Sequence, residues 1–281
     1  MVILPEDVLF FMASPGALTH DPQVLIHRLE ERGIHSYFII PQAIRYRYTT
    51  DRVALTEAVF KANTTVSINT DLHPQGYLYN LIYWLSVFHQ DLSALLSTMV
   101  RTNYIFVLLL AIGLITLLFL VKRKVFLAAM AMGGFSLMAA EVIVIYEFQV
   151  FYGHLYYTIA WIIAAFMATT ALGAFWGNNT SSFKLVKLHL GLGGCFLFWL
   201  FLPGFWIIWG LGTGLFVGLE FSYISRFRRE SIYAADLLGS CGGALGVSVF
   251  MIPAYGVYLT LLFLMIINTT LALVIQKKGT L

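Results

Sequence analysis

Charge is what this sequence has least of. Asp, Glu, Lys and Arg together make up 11% of its 281 residues, while hydrophobic residues make up 59%. Soluble domains carry ~25% charged residues, so an ordinary soluble protein is excluded and a polytopic membrane protein is expected. The formal charge of +3 is small and offers no basic surface of the kind nucleic acid requires. Cysteine is nearly absent. Cys195 and Cys241 both lie in apolar segments, which indicates neither a disulfide nor a metal site. Residues 1–15 hold no basic cluster ahead of an apolar run, so no cleavable signal peptide is expected. No G-x-G-x-x-G-like run follows a strand in residues 1–60. That removes the usual phosphate-cradling turn, and no cofactor is expected.

What the chain does have is long apolar runs. Seven of them fit membrane spans: 104–121, 125–148, 155–176, 185–202, 205–224, 233–252 and 257–275. The basic residues sort among the connections. Lys122, Arg123, Lys124, Lys184, Lys187, Arg226, Arg228, Arg229, Lys277 and Lys278 fall on one side. The opposite connections carry none, and only Arg101 adjoins the first span there. The positive-inside rule predicts a cytoplasmic C-terminus and an extracytoplasmic N-terminal segment.

Small residues forecast the helix contacts. Gly210, Gly214 and Gly218 recur every four residues, and Gly239 and Gly243 share a face. Such stripes let helix backbones approach closely, and the fifth span is expected to pack on the sixth. Three of the acids within the runs stand out. Glu220 and Asp236 sit near Arg226, Arg228 and Arg229, a pattern that predicts ion pairing at the inner face. Glu141 lies about 24 Å along its helix from Val125, a depth at which no span offers a Lys or Arg. It reads as a structural hydrogen-bond lock or as a proton or cation site.

Residues 1–73 read as a small α/β appendage. Val8–Ser14 and Ile34–Ile40 have strand composition. Asp21 and Pro22 open a helix that Gly33 ends, and Asp51 caps another through Ala62. Two strands and two helices are too little for an independent core. Residues 74–102 form a linker whose Pro74–Gln90 portion is uncharged and rich in aromatics. It is expected to lie along the membrane surface, ahead of the span domain at 103–281.

Two stretches carry a family resemblance. One is Asn69-Thr70-Asp71-Leu72-His73-Pro74-Gln75-Gly76-Tyr77-Leu78-Tyr79, with His73 where Arg is expected; the other is Gly133–Gly177, together with Tyr233–Ser240. Both resemble the membrane-fused spermidine synthase-like proteins. The resemblance implies a polyamine aminopropyltransferase-type domain joined to a transporter-like bundle. It also implies that Asn69, Asp71, Tyr77 and Tyr79 line a pocket, although the run N-T-D-L-H-P reads equally as a turn. The family's glycine-rich turn and catalytic aspartate are not found in residues 1–60.

These features predict an all-α multi-pass bundle in the lipid bilayer, with no catalytic residue of its own. The first functional expectation is a noncatalytic membrane subunit or scaffold that docks a protein partner or larger complex. The second is the membrane half of a split aminopropyltransferase. The third is a small-solute or cation transporter using Glu141.

Overall fold

The structure, a computed structural model, describes residues 2–4, 10–62, 68–101, 125–153, 156–179, 184–226 and 230–277. They fall into two compact units, Met1–Ser67 and Ile68–Leu281, each described by itself.

In the first unit, strands β1 (Val2–Leu4) and β2 (Phe10–Met12) pair antiparallel, with Ile3 opposite Phe11. Helices α1 (Pro22–Glu31), α2 (Pro41–Arg47) and α3 (Thr50–Ala62) follow. Asp21 caps α1 by accepting from the Gln23 amide at 2.9 Å, with Pro22 in the first turn. Gly33 leaves the helix at φ 60°. The expected strand at Ile34–Ile40 does not form. The Ser36 hydroxyl accepts from the amides of Phe38 and Ile39 at 3.3 and 3.2 Å, and these local bonds compete with a sheet ladder. Pro41 then opens α2 and holds Ile40 extended. The strand–helix–strand order of an α/β appendage is therefore absent.

The second unit is helical: α4 (Gln75–Phe88), α5 (Gln90–Arg101), α6 (Val125–Tyr152), α7 (Tyr156–Asn179), α8 (Leu185–Phe201), α9 (Trp206–Ser225), α10 (Glu230–Leu245) and α11 (Ile252–Lys277). A π-helical turn, Gly246–Met251, joins the last two. Among the described residues four helical stretches are long and apolar enough to cross a membrane: Val125–Tyr152, Tyr156–Asn178, Pro203–Ser225 and Ser231–Lys277. They mark an integral membrane protein. Helix α8 is apolar but shorter. The expected first span, 104–121, lies outside the described residues.

Ser231–Lys277 is not one straight rod. Gly256 breaks it with φ 78° and ψ 174°, a region essentially reserved for glycine. Gly256 sits against Leu72 and His73, and the neighbouring Asp71 carbonyl accepts from the Tyr146 hydroxyl. Farther along, Asn268 reaches Ser136. Helix α11 therefore runs antiparallel to α6. Helix α10 runs parallel to α6, because Gly239 meets Ala131 and Gly243 meets Phe135. The chain has doubled back at Gly256.

Glycines set the other contacts. Gly214 and Gly218 face Thr169, Thr170 and Ala174 of α7, and Gly210 faces Val144 of α6. The expected packing of the fifth span on the sixth is thus corrected. Helix α9 lies on α7 and α6, and α10 lies on α6. Gly218, Gly239 and Gly243 each meet a neighbouring backbone, whereas Gly210 and Gly214 are closest to side chains. These contacts gather Val125, Asn178, Lys184, Arg226, Glu230 and Lys277 at one end of the bundle. Helix α7 is mostly exposed, with Tyr156, Tyr157 and Trp161 near one end and Phe175 and Trp176 near the other. Tyr156 and Trp176 are about 30 Å apart along the axis, matching a ~30 Å hydrocarbon layer with aromatic residues at its edges.

Candidate functional site

Two adjacent glycines on α6 make room for two acids. A methyl group at Gly133 would lie 2.5 Å from Oε2 of Glu220. One at Gly134 would lie 2.6 Å from Oδ1 of Asp236 and 2.8 Å from the Ser240 hydroxyl. The carboxyl groups of α9 and α10 therefore occupy space that any other residue pair on α6 would fill.

His189 of α8 completes the cluster. Its Nε2 stands 3.1 Å from Oε1 of Glu220, and both side chains are 0% exposed. On the other side of the ring, Nδ1 lies 3.1 Å from Oδ1 of Asn268. The Asn268 amide donates to the Ser136 hydroxyl at 2.8 Å and to the Leu264 carbonyl at 2.9 Å. Five helices thus converge on one polar cluster, in which Ser136, Asn268, His189 and Glu220 are buried and Asp236 is partly exposed. Among the described residues no group meets hydrogen-bond geometry with His189 Nε2, with either carboxyl oxygen of Glu220 or with Asp236 Oδ1, although all four atoms are buried and Nε2 and Oε1 stand 3.1 Å apart. Removing a carboxylate from water costs several kcal/mol even after relaxation. An unpartnered buried oxygen is a cost that packing alone does not require.

The inner-face ion pair expected of Glu220 is corrected accordingly. Glu220 is buried against His189, not against arginine. Arg226 donates to the carbonyls of Gly177 and Asn178, placing a cation at the C-terminus of α7 where the helix dipole favours one. Arg228 and Arg229 lie outside the described residues. Glu141 is half-buried, on the same α6 stripe as Gly134 and about 10 Å farther along, and forms no hydrogen bond among the described residues. Glu147, one and a half turns beyond it, is buried and accepts from the Trp199 indole at 3.1 Å.

The Asn69–Tyr79 segment closes the opposite end of the bundle. Thr70 and His73 pair through both backbone bonds, at 3.0 and 3.1 Å. The Leu72 carbonyl accepts from Val257 N–H at 3.0 Å, so it satisfies an amide freed by the Gly256 break. The Asn69 side chain accepts from Gly76 N–H at 2.8 Å. A cleft of about 500 Å³ beside this segment is lined by Asn69, Thr70, Asp71, Tyr77, Tyr146 and Gln149, among others. Tyr79 is exposed and outside that lining.

Sequence reasoning passed over His189, Asn268, Ser136 and Glu147. A signal was present: each is a polar residue inside an apolar run. Among the described residues no group of three or more His, Cys, Asp or Glu is arranged to hold a metal ion. Comparison of the chain with family models, curated proteins and solved structures finds no match.

Proposed function

We propose that the protein is a cation transporter of the membrane, with the His189–Glu220–Asp236 cluster as the site that handles the ion. The single observation behind this reading is the fully buried histidine–glutamate pair at the meeting point of five helices. Ionisable side chains at membrane depth are costly and by default point to a functional site such as an ion path. The reading moves the working acid from Glu141 to Glu220. It takes the bundle as seven spans, counting 104–121 and Leu185–Phe201, with the basic end cytoplasmic.

Purified protein in sealed vesicles, given an imposed pH gradient, should dissipate it when sodium or potassium is added outside. Glu220→Gln should lose that response and Glu141→Gln should keep it. Dissipation no faster than in protein-free vesicles, or undiminished in Glu220→Gln, would overturn the reading.

A second reading is favoured by the first unit, where Tyr37 is 99% and Phe38 84% exposed. Here the protein is a noncatalytic membrane scaffold whose residues 1–67 dock a partner. Copurification in mild detergent tests it. A nucleotide-binding chain among the copurified proteins would favour the split aminopropyltransferase implied by the resemblance.

A further inference from the structure

We infer that His189 and Glu220 hold one exchangeable proton between Nε2 and Oε1, and that Asp236 is the port through which it equilibrates with the basic end of the bundle. The inference deepens the transporter reading and rests on it for its biological meaning, but the proton itself follows from hydrogen-bond chemistry.

Asn268 fixes the protonation pattern. The Leu264 carbonyl can only accept, so the amide group facing it is the NH₂. The Asn268 oxygen then faces His189 Nδ1 at 3.1 Å. Nδ1 must carry hydrogen, because two acceptors would otherwise confront each other. Nε2 is left facing Glu220 Oε1 at 3.1 Å. A neutral imidazole offers a lone pair there, and an ionised carboxylate offers another. Charge balance requires one proton on one or the other of them. It belongs to imidazolium beside carboxylate, or to carboxylic acid beside neutral imidazole. Either arrangement leaves the pair electrically neutral, which the cost of buried net charge demands.

No other charge competes for this proton. On α6 the residues facing the cluster are Gly133, Gly134 and Ser136, and the next acid is Glu141. Helix α7 has no charged residue at all. On α8 the nearest is Lys187, towards the basic end, and on α9 it is Arg226, engaged with α7. On α11 none precedes Lys277. That leaves Asp236 of α10, which sits beside Glu220 across the glycine pair. His189 and Glu220 are fully buried, whereas Asp236 is partly exposed. Of these three groups it is the one with surface to exchange a proton. It lies about 9 Å from the start of α10, against about 24 Å to Ile252.

Difference infrared spectra of the purified full chain in detergent test the inference without any transport. Wild type at one fixed pH should show a carboxyl or imidazole band that shifts on transfer to heavy water, as the exchangeable proton of a neutral pair requires. Glu220→Gln should abolish that band. His189→Leu should leave a carboxylic acid band. Asp236→Asn should keep the band but exchange more slowly. No exchange-sensitive band, or one that survives Glu220→Gln, would overturn the shared proton. Equal exchange in Asp236→Asn would remove the port. If the signal is present while vesicles carry no ion, the transporter reading fails and the proton site stands.

Discussion

Replacing Gly239 with alanine should separate α6 from α10. The added methyl would meet the backbone carbonyl of Ala131 well inside van der Waals contact. A side chain could rotate away; a carbonyl held in its own helix cannot. Overpacking of this kind costs ~1–3 kcal/mol, and the immovable neighbour points to the upper end. Alanine regains ~1 kcal/mol of helix propensity over glycine, leaving a net loss of about 2 kcal/mol. At ~2–4 °C per kcal/mol for a chain of this size, the melting midpoint in mild detergent should fall by roughly 4–8 °C. Gly194→Ala is the internal control. It lies within α8 with nothing inside 4 Å of the new methyl, so only the propensity gain remains and the midpoint should rise by about 2–4 °C. Both variants are scanned at one rate, because membrane proteins commonly unfold irreversibly. A Gly239→Ala protein that melts at or above wild type would refute the backbone contact between α6 and α10.

Three further outcomes follow from the same contacts. His189→Leu leaves Glu220 without its partner and should cost about 1–3 kcal/mol in the melt, whereas Glu141→Leu should be neutral or stabilising, since Glu141 has no hydrogen bond to lose among the described residues; equal effects would contradict the assignment. Gly256→Ala forces a side chain into a left-handed backbone, costing ~1–2 kcal/mol, and brings a methyl to 2.9 Å from the Leu72 carbonyl. Hydrogen exchange at Val257 should accelerate, and unchanged protection would show that Leu72 is not its partner. The Asp51 carboxyl is held below its ordinary value chiefly by the Thr49 side chain, then by backbone amides. Its stabilising effect on α3 is therefore present above the ordinary aspartate range and lost as pH falls through the lowered value. Amide protection in α3 should drop in acid, and Thr49→Ala should move that drop to higher pH.

The spans were legible because a bilayer imposes length and hydropathy, and both survive in composition. Val125–Tyr152 and Trp206–Ser225 begin and end within a few residues of the expected boundaries. Their partners were not legible. The Gly210–Gly218 stripe says that a backbone approaches, but a stripe carries no label for the helix that fills it. Glu220 and Asp236 were assigned to arginines near in sequence, whereas His189, 31 positions away from Glu220, is near only after α8 and α9 fold together. Ile34–Ile40 failed for a local reason, since Ser36 and Pro41 outcompete strand propensity. The resemblance to spermidine synthase-like proteins supplied an expectation for Asn69–Tyr79. What that segment does in the fold, supplying a carbonyl to a broken helix, depends on Gly256, which lies far along the chain.

The union of α6 with α10 also sets an order of events during synthesis. Tyr152 leaves the ribosome 78 residues before Glu230, a delay of about 4–16 s at typical elongation rates of ~5–20 residues per second. Throughout that interval the surface of α6 around Ala131 and Phe135 lacks the α10 glycines that cover it in the finished fold. Helix α9 arrives first and brings Glu220 to Gly133; only then can α10 deliver Asp236 to Gly134. A nascent chain that has emerged through Ser225 but not through Glu230 can have one acid seated and the second cradle open, with α11 and its Asn268 still to arrive.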